Sequence, residues 1–244
     1  MSRLLLLFSV WRRELGGFFQ TPAAFVALCA FPLGAIGFPW FLGGFLEKDE
    51  ASLRLFFEFL PWVLSIFVPA VGMRIWAEER RRGSIEMLFT MAIPEWVAVL
   101  AKFLAAWTFV TLGLALTLPL YFTIEYLGNP DFGPVVSGYF GAILLAGLFL
   151  SIVCAASAGT KSQIVAFVVS AFPALLLSIA GYSRFNGLLL DAGLPVWMVD
   201  AVAGLGVVTH FEPMTRGLVA VSDLFYFVGF MVAHLFLNFL LVKR

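Results

Sequence analysis

RIWAEERRRGSIEMLF, residues 74–89, puts Arg74, Glu78, Glu79, Arg80, Arg81, Arg82 and Glu86 into a strongly apolar region. The runs on either side, Leu55–Ala77 and Trp96–Leu127, meet the requirement of about 20 mostly apolar residues for a helix to cross a bilayer core. Charges between two such runs belong outside the hydrocarbon, where backbone and side chains can find water. The chain therefore reads as an all-α polytopic membrane protein, with this stretch as a loop between spans.

Composition agrees. The 244 residues are 62% hydrophobic and 12% charged, with 28 Phe, 7 Trp and a mean hydropathy of +1.01. Soluble domains carry about 25% charged residues. The formal net charge is zero, so nothing points to a nucleic-acid partner. Cys29 and Cys154 both lie inside apolar runs and form no disulfide framework.

Further runs at Thr21–Leu46, Val135–Ala158, Ile164–Tyr182 and Asp223–Val242 bring the expected crossings to six in one membrane domain, 1–244. Pro195–Val208 is apolar but too short to cross, and is expected to be a re-entrant or interfacial helix. Residues 1–20 begin MSRLLLLFSVWRREL. Their apolar core is short, and no small-x-small cleavage site follows it. They read as an amphipathic interfacial helix, with Arg3, Arg12 and Arg13 at head-group level and Trp11 dipping inward.

Basic residues set the orientation. With the N-terminus inside, Arg3, Arg12, Arg13, Arg74, Arg80, Arg81, Arg82, Lys102, Lys161, Lys243 and Arg244 are cytoplasmic. Lys48, Arg54, Arg184 and Arg216 are outside, giving eleven against four. Both termini and residues 74–89 are thus expected in the cytoplasm. Gly83 suits a left-handed helix end, and Ser84 can cap a new short helix. Glu86 then falls in that helix's first turn, at the positive end of its dipole. Ile93-Pro94 stops it. Two readings of this element are open on geometry: a solvated turn, or a docking helix that offers apolar knobs and Glu86 to a soluble partner.

The stretch RIWAEERRRGSIEMLFTMAIPEWVAVLAKFLAA resembles the signature of ABC-2 type permeases. Glu78, Glu79, Arg80, Gly83, Ser84, Ile85, Glu86, Leu88, Pro94, Lys102 and Phe103 carry the likeness. Ala101 stands where a Gly is more usual. VWRRELGGFFQTPAAFV and THFEPMTRGLVAVSDLFYFV look similar to the two ends of the gliding-motility branch. The likeness is weaker between Glu47 and Leu60 and between Ser183 and Val208. It implies a non-catalytic transmembrane subunit of the cytoplasmic (inner) membrane. Ser84–Thr90 would be the coupling helix against a cytoplasmic ATPase dimer, with Glu78, Glu79, Arg80, Gly83, Ser84, Ile85, Glu86, Met87 and Leu88 as the contact set. It further implies a second permease copy or related permease, and allows a membrane subunit with an extracytoplasmic domain. ATP and Mg would be bound by the partner, with no cofactor on this chain. Consistently, the sequence has no G-x-x-x-x-G-K-[ST], and Gly159-Thr160-Lys161-Ser162 only echoes its end.

Polar residues within spans are functional suspects by default. Lys102 is expected to snorkel to the interface, as Arg12 and Arg13 lie there. Glu125 reads as a solvated carboxylate at the outer end. His234 and Asn238, four apart, are expected to form an interhelical hydrogen-bonding pair rather than a metal site, there being no third ligand. Gly138, Ala142 and Ala146 permit close helix packing. Asp200, His210, Glu212 and Arg216 fall outside, and the resemblance implies that they belong to an external gate or partner contact. His210 with Ser222 or Asp223 invites comparison with a hydrolase, but the spacing does not support it. A polytopic enzyme acting on lipid-linked substrates is the alternative class, and it needs carboxylates or histidines clustered at one face. The cargo, and whether the complex exports or transduces force, is not written in the sequence.

Overall fold

The computed structural model describes residues 3–42, 52–83, 94–128 and 130–243. All regular structure among them is helical. Helix α1 (Arg3–Phe19) precedes α2 (Pro22–Leu42), α3 (Arg54–Gly72) and the short α4 (Ala77–Arg82). Next come α5 (Glu95–Ala115), α6 (Pro119–Leu127), α7 (Phe132–Ala158) and α8 (Gln163–Ala180). Three short helices, α9 (Ser183–Asp191), α10 (Val196–Leu205) and α11 (Val207–Thr215), lead to α12 (Val221–Val242).

Six segments are long and apolar enough to cross a membrane: 24–41, 54–82, 95–127, 132–158, 163–180 and 221–242. The chain is a multi-pass membrane protein. Its centre is α7, which packs against α3, α5, α8, α11 and α12. The α7 span is 83% buried inside the protein, against 22% for the spans of α2 and α12. Apolar residues on those outer helices, such as Leu33, Phe41, Phe225 and Phe236, are exposed and face the lipid.

Small residues let the central helix approach its neighbours. A Cβ on Gly138 would sit 2.5 Å from the Phe57 ring, and one on Gly147 2.8 Å from Met231 Sδ. Ala142 and Ala146 are buried on the same helix. Without a hydrophobic force between helices in lipid, such close van der Waals contact is what holds spans together.

Two expected boundaries change. The run 96–127 is not one helix but α5 and α6, joined by a turn at residues 116–118. Pro119 has no amide hydrogen and its ring crowds the carbonyl four residues back, so the helix restarts there. At the break the Thr117 hydroxyl bonds the Leu114 carbonyl at 2.6 Å and the Tyr139 hydroxyl at 2.9 Å, which satisfies polar groups at membrane depth. The region between the last two spans holds α9, α10 and α11 where a single short helix at 195–208 was expected. Gly206 separates α10 from α11 and lies against Gly181: a Cβ there would fall 2.1 Å from the Gly181 nitrogen.

The second span likewise ends in a turn at residues 73–76, after which α4 heads off in its own right. Gly83 closes α4 with φ 69°, the left-handed cap that its sequence position suggested. The helix expected at the N-terminus forms over residues 3–19 and lies along α5, with Trp11 Nε1 donating to Thr108 Oγ1 at 3.3 Å.

Candidate functional site

Five helices meet at the end of the bundle that carries α4. Lys102, on α5, is only 5% exposed and does not snorkel to the interface as its sequence position suggested. Its ammonium donates to Glu14 Oε2 at 2.8 Å and to Glu79 Oε1 at 2.7 Å, and lies 5.3 Å from the centre of the Trp76 ring. Burying a lone ammonium is costly, and a cation must then reach for water. Two carboxylates brought by α1 and α4 remove that need. Burial alone would push the Glu14 carboxyl upward, but the charge and hydrogen bond of Lys102, aided by Arg13, outweigh it. Glu14 is held below the usual 4.5.

α4 is tied to two further helices. Glu78 accepts from Arg81 at 2.9 Å and from Arg82 at 2.8 Å, and also from the Gln163 amide at the start of α8. Arg80 donates to the Leu241 carbonyl at 2.6 Å, which satisfies an end group of α12. Lys243 and Glu95 pair at 3.2 Å, placing the end of α12 beside the start of α5. Beside Lys102 opens a cavity of about 660 Å³ lined in part by Glu14, Arg74, Glu78, Glu79 and Gln163.

Of the expected contact set, Glu78, Glu79 and Arg80 are therefore tied to the neighbouring helices, and Gly83 caps α4 beside them. Ser84, Ile85, Glu86, Met87 and Leu88 lie outside the described residues. Arg12 and Arg13 are exposed on α1, and Arg13 pairs with Glu14 at 2.8 Å. Glu14 and Gln163 are members that sequence reasoning missed. The available signal was a lone acid in an otherwise basic amphipathic helix.

The opposite end is built differently. His210, on α11, has Nδ1 2.8 Å from Asp223 Oδ1 and Nε2 3.1 Å from the Gly204 carbonyl, and its ring stacks on Tyr226 at 4.0 Å. Tyr226 itself donates to the Leu205 carbonyl at 2.6 Å. His210 and Asp223 thus join α11, α10 and the first turn of α12. Nε2 is engaged by a backbone carbonyl, not by a hydroxyl nucleophile, so this is no hydrolase triad. Glu212 and Arg216 pair on an exposed face of α11, and Asp200 is exposed on α10. Glu125 is exposed.

Neither residue of the expected interhelical pair bonds another helix among the described residues. His234 Nδ1 bonds the Phe230 carbonyl of its own helix at 2.8 Å, and Asn238 is fully buried with both amide atoms unpartnered among the described residues. Bonding back to the preceding turn satisfies His234 Nδ1 within its own helix.

Residues 59–159 match the model of a family described as CcmB protein, ABC-2-like permeases of a haem exporter. The match runs from within α3 to the end of α7 and includes α4, Lys102 and the segment between Gly83 and Pro94. No curated protein matches the chain. Over those residues the chain is similar to ABC-2-type permeases, while the gliding-motility branch receives no separate support from this match.

Proposed function

We propose that the chain is the membrane-spanning subunit of an ATP-binding cassette transporter, with ATP hydrolysis on a separate cytoplasmic subunit. The observation that carries this is the family match across residues 59–159, which contain the loop that such a subunit offers to its ATPase. The basic-residue excess favours placing the Lys102 end in the cytoplasm.

The cluster gives this reading a mechanical route. Residues 84–93 leave from the capped end of α4 and rejoin at Pro94, which leads into α5. Force applied there by closing ATPase subunits would act on α4 directly. Lys102 would pass it to α1 and α5, Gln163 to α8, and Arg80 to α12. Ser84, Ile85, Glu86, Met87 and Leu88 are the proposed contact residues, and Glu86 is the charge that a basic rim on the ATPase would meet. A second copy or a related permease would complete the pore. Asp200, His210, Glu212 and Arg216 would face the outer gate or an extracytoplasmic partner. The same machinery serves export or force transduction, and the matched family makes haem the first cargo to try.

The test is recovery of the native complex through an affinity tag on the permease, followed by ATP turnover with and without haem. An ABC ATPase that co-purifies and turns over ATP only in the complex supports the reading. Recovery of the permease with no such subunit, under conditions that keep other ABC complexes whole, contradicts it.

A further inference from the structure

We propose that the intramembrane face between α2 and α3 holds an anionic phospholipid, with its phosphate on Arg74 and an acyl chain in the apolar groove above. This goes beyond the transporter reading and does not depend on the ATPase. Arg74 closes the second span and lines two spaces at once: the polar cavity beside Lys102 and an apolar groove of about 370 Å³. The groove owes its room to alanines, Ala27 and Ala30 on α2 and Ala70 on α3, with Phe67 among its walls. Ala30 and Ala70 are exposed, so the groove opens sideways into the bilayer rather than into the protein.

The charge balance says what the head must carry. Glu14 is engaged by Lys102 and Arg13, Glu79 by Lys102, and Glu78 by Arg81, Arg82 and Gln163. Arg74 has no carboxylate within ion-pair distance among the described residues. It is left as an uncompensated guanidinium where a span leaves the lipid. A guanidinium offers a fork of donors that matches two phosphate oxygens. Basic pockets between transmembrane helices on the cytoplasmic side are the sites where anionic head groups lodge. An apolar groove running from that same residue toward the bilayer fits the chain attached to the head group, and no free anion would fill it.

The probe is phosphatidylglycerol against phosphatidylcholine, added to the purified full-length protein in a neutral maltoside detergent and read by native mass spectrometry. Wild type should retain phosphatidylglycerol about fivefold over phosphatidylcholine, the effect of roughly one basic residue at a head group. Arg74→Gln should bring the ratio to about one, and Ala70→Leu, which fills the groove and leaves the charge, should lower retention of both lipids. Thermal unfolding of both variants should stay at the wild-type temperature, since Arg74 holds no partner among the described residues and Ala70 faces lipid. Equal retention of the two lipids by wild type would overturn the proposal, as would undiminished selectivity in Arg74→Gln. Undiminished binding in Ala70→Leu, or displacement of the lipid by millimolar inorganic phosphate, would overturn the acyl groove and leave a bare anion site.

Discussion

At one end of the bundle Lys102 is gripped by two carboxylates that arrive from 88 and 23 residues away, whereas at the other His210 is held by partners 13 and 6 residues away. The first arrangement is long-range and buried, so α1, α4 and α5 must move together or lose a paired charge. The second is local, tying α11 to α10 and the first turn of α12; α11 buries Val207, Phe211 and Met214, whereas its neighbours α9 and α10 bury only Val199. The difference teaches that this protein is stiff where a partner is proposed to push and more easily rearranged where the outer gate is proposed to open. Local units with few buried contacts are those that open at low free-energy cost.

The sharpest way to break the comparison is Lys102→Met. Removing the ammonium takes the buried cation from between Glu14 and Glu79, and breaking a buried pair in this way costs about 3–5 kcal/mol. Thermal unfolding in detergent should drop by more than for any other single change named here. A shift no larger than that of an exposed pair would mean the ammonium is not clamped. Glu14→Gln keeps the shape and one hydrogen bond, and should cost about 1.5–3 kcal/mol, the worth of a charged hydrogen bond. Its penalty has a pH signature. Because the folded carboxyl sits below 4.5, its stabilisation is complete above that value and disappears as pH falls through the folded one. The gap between wild type and Glu14→Gln should therefore be constant from about pH 6 to 8 and close in acid. A gap that widens in acid would reverse the assignment.

At the other end, Gly206→Ala forces a methyl against the Gly181 backbone, and overpacking of this kind costs about 1–3 kcal/mol. It should loosen the α10–α11 junction and increase hydrogen exchange in α9–α11 while α5 and α7 stay protected. Loss of protection in α5 as well would show that the two ends are not separate units. The smallest effect is Arg216→Ala. Its pair with Glu212 is exposed on one helix, and such pairs are worth about 0–1 kcal/mol, so the unfolding temperature should barely move.

Much of the architecture was legible because lipid imposes a simple rule: twenty apolar residues make a span, and charges mark its ends. All six spans follow from it, and the left-handed cap at Gly83 follows from glycine's tolerance of positive φ. What escaped depends on partners distant in sequence. Lys102 alone looks like a snorkelling cation, because nothing near it announces Glu14. The Gly181–Gly206 contact is a backbone approach that no periodicity encodes, and α9 and α11 are too short and too polar to register as membrane helices. His234 bonds the Phe230 carbonyl one turn back, because a face shared with Asn238 does not decide between a partner helix and its own backbone. Asp223 was weighed only as a catalytic group, yet it ties α12 to α11.

Family resemblance places the proposed coupling helix at Ser84–Thr90, and Glu86 tests it most directly. The measurement is ATP turnover and ATPase recovery for the tagged complex, wild type against Glu86→Arg. The variant should insert and unfold as wild type does. Reversing a charge against a basic rim costs on the order of 2–5 kcal/mol, so recovery should fall about thirtyfold or more and turnover with it. Undiminished recovery and turnover would contradict docking through this loop.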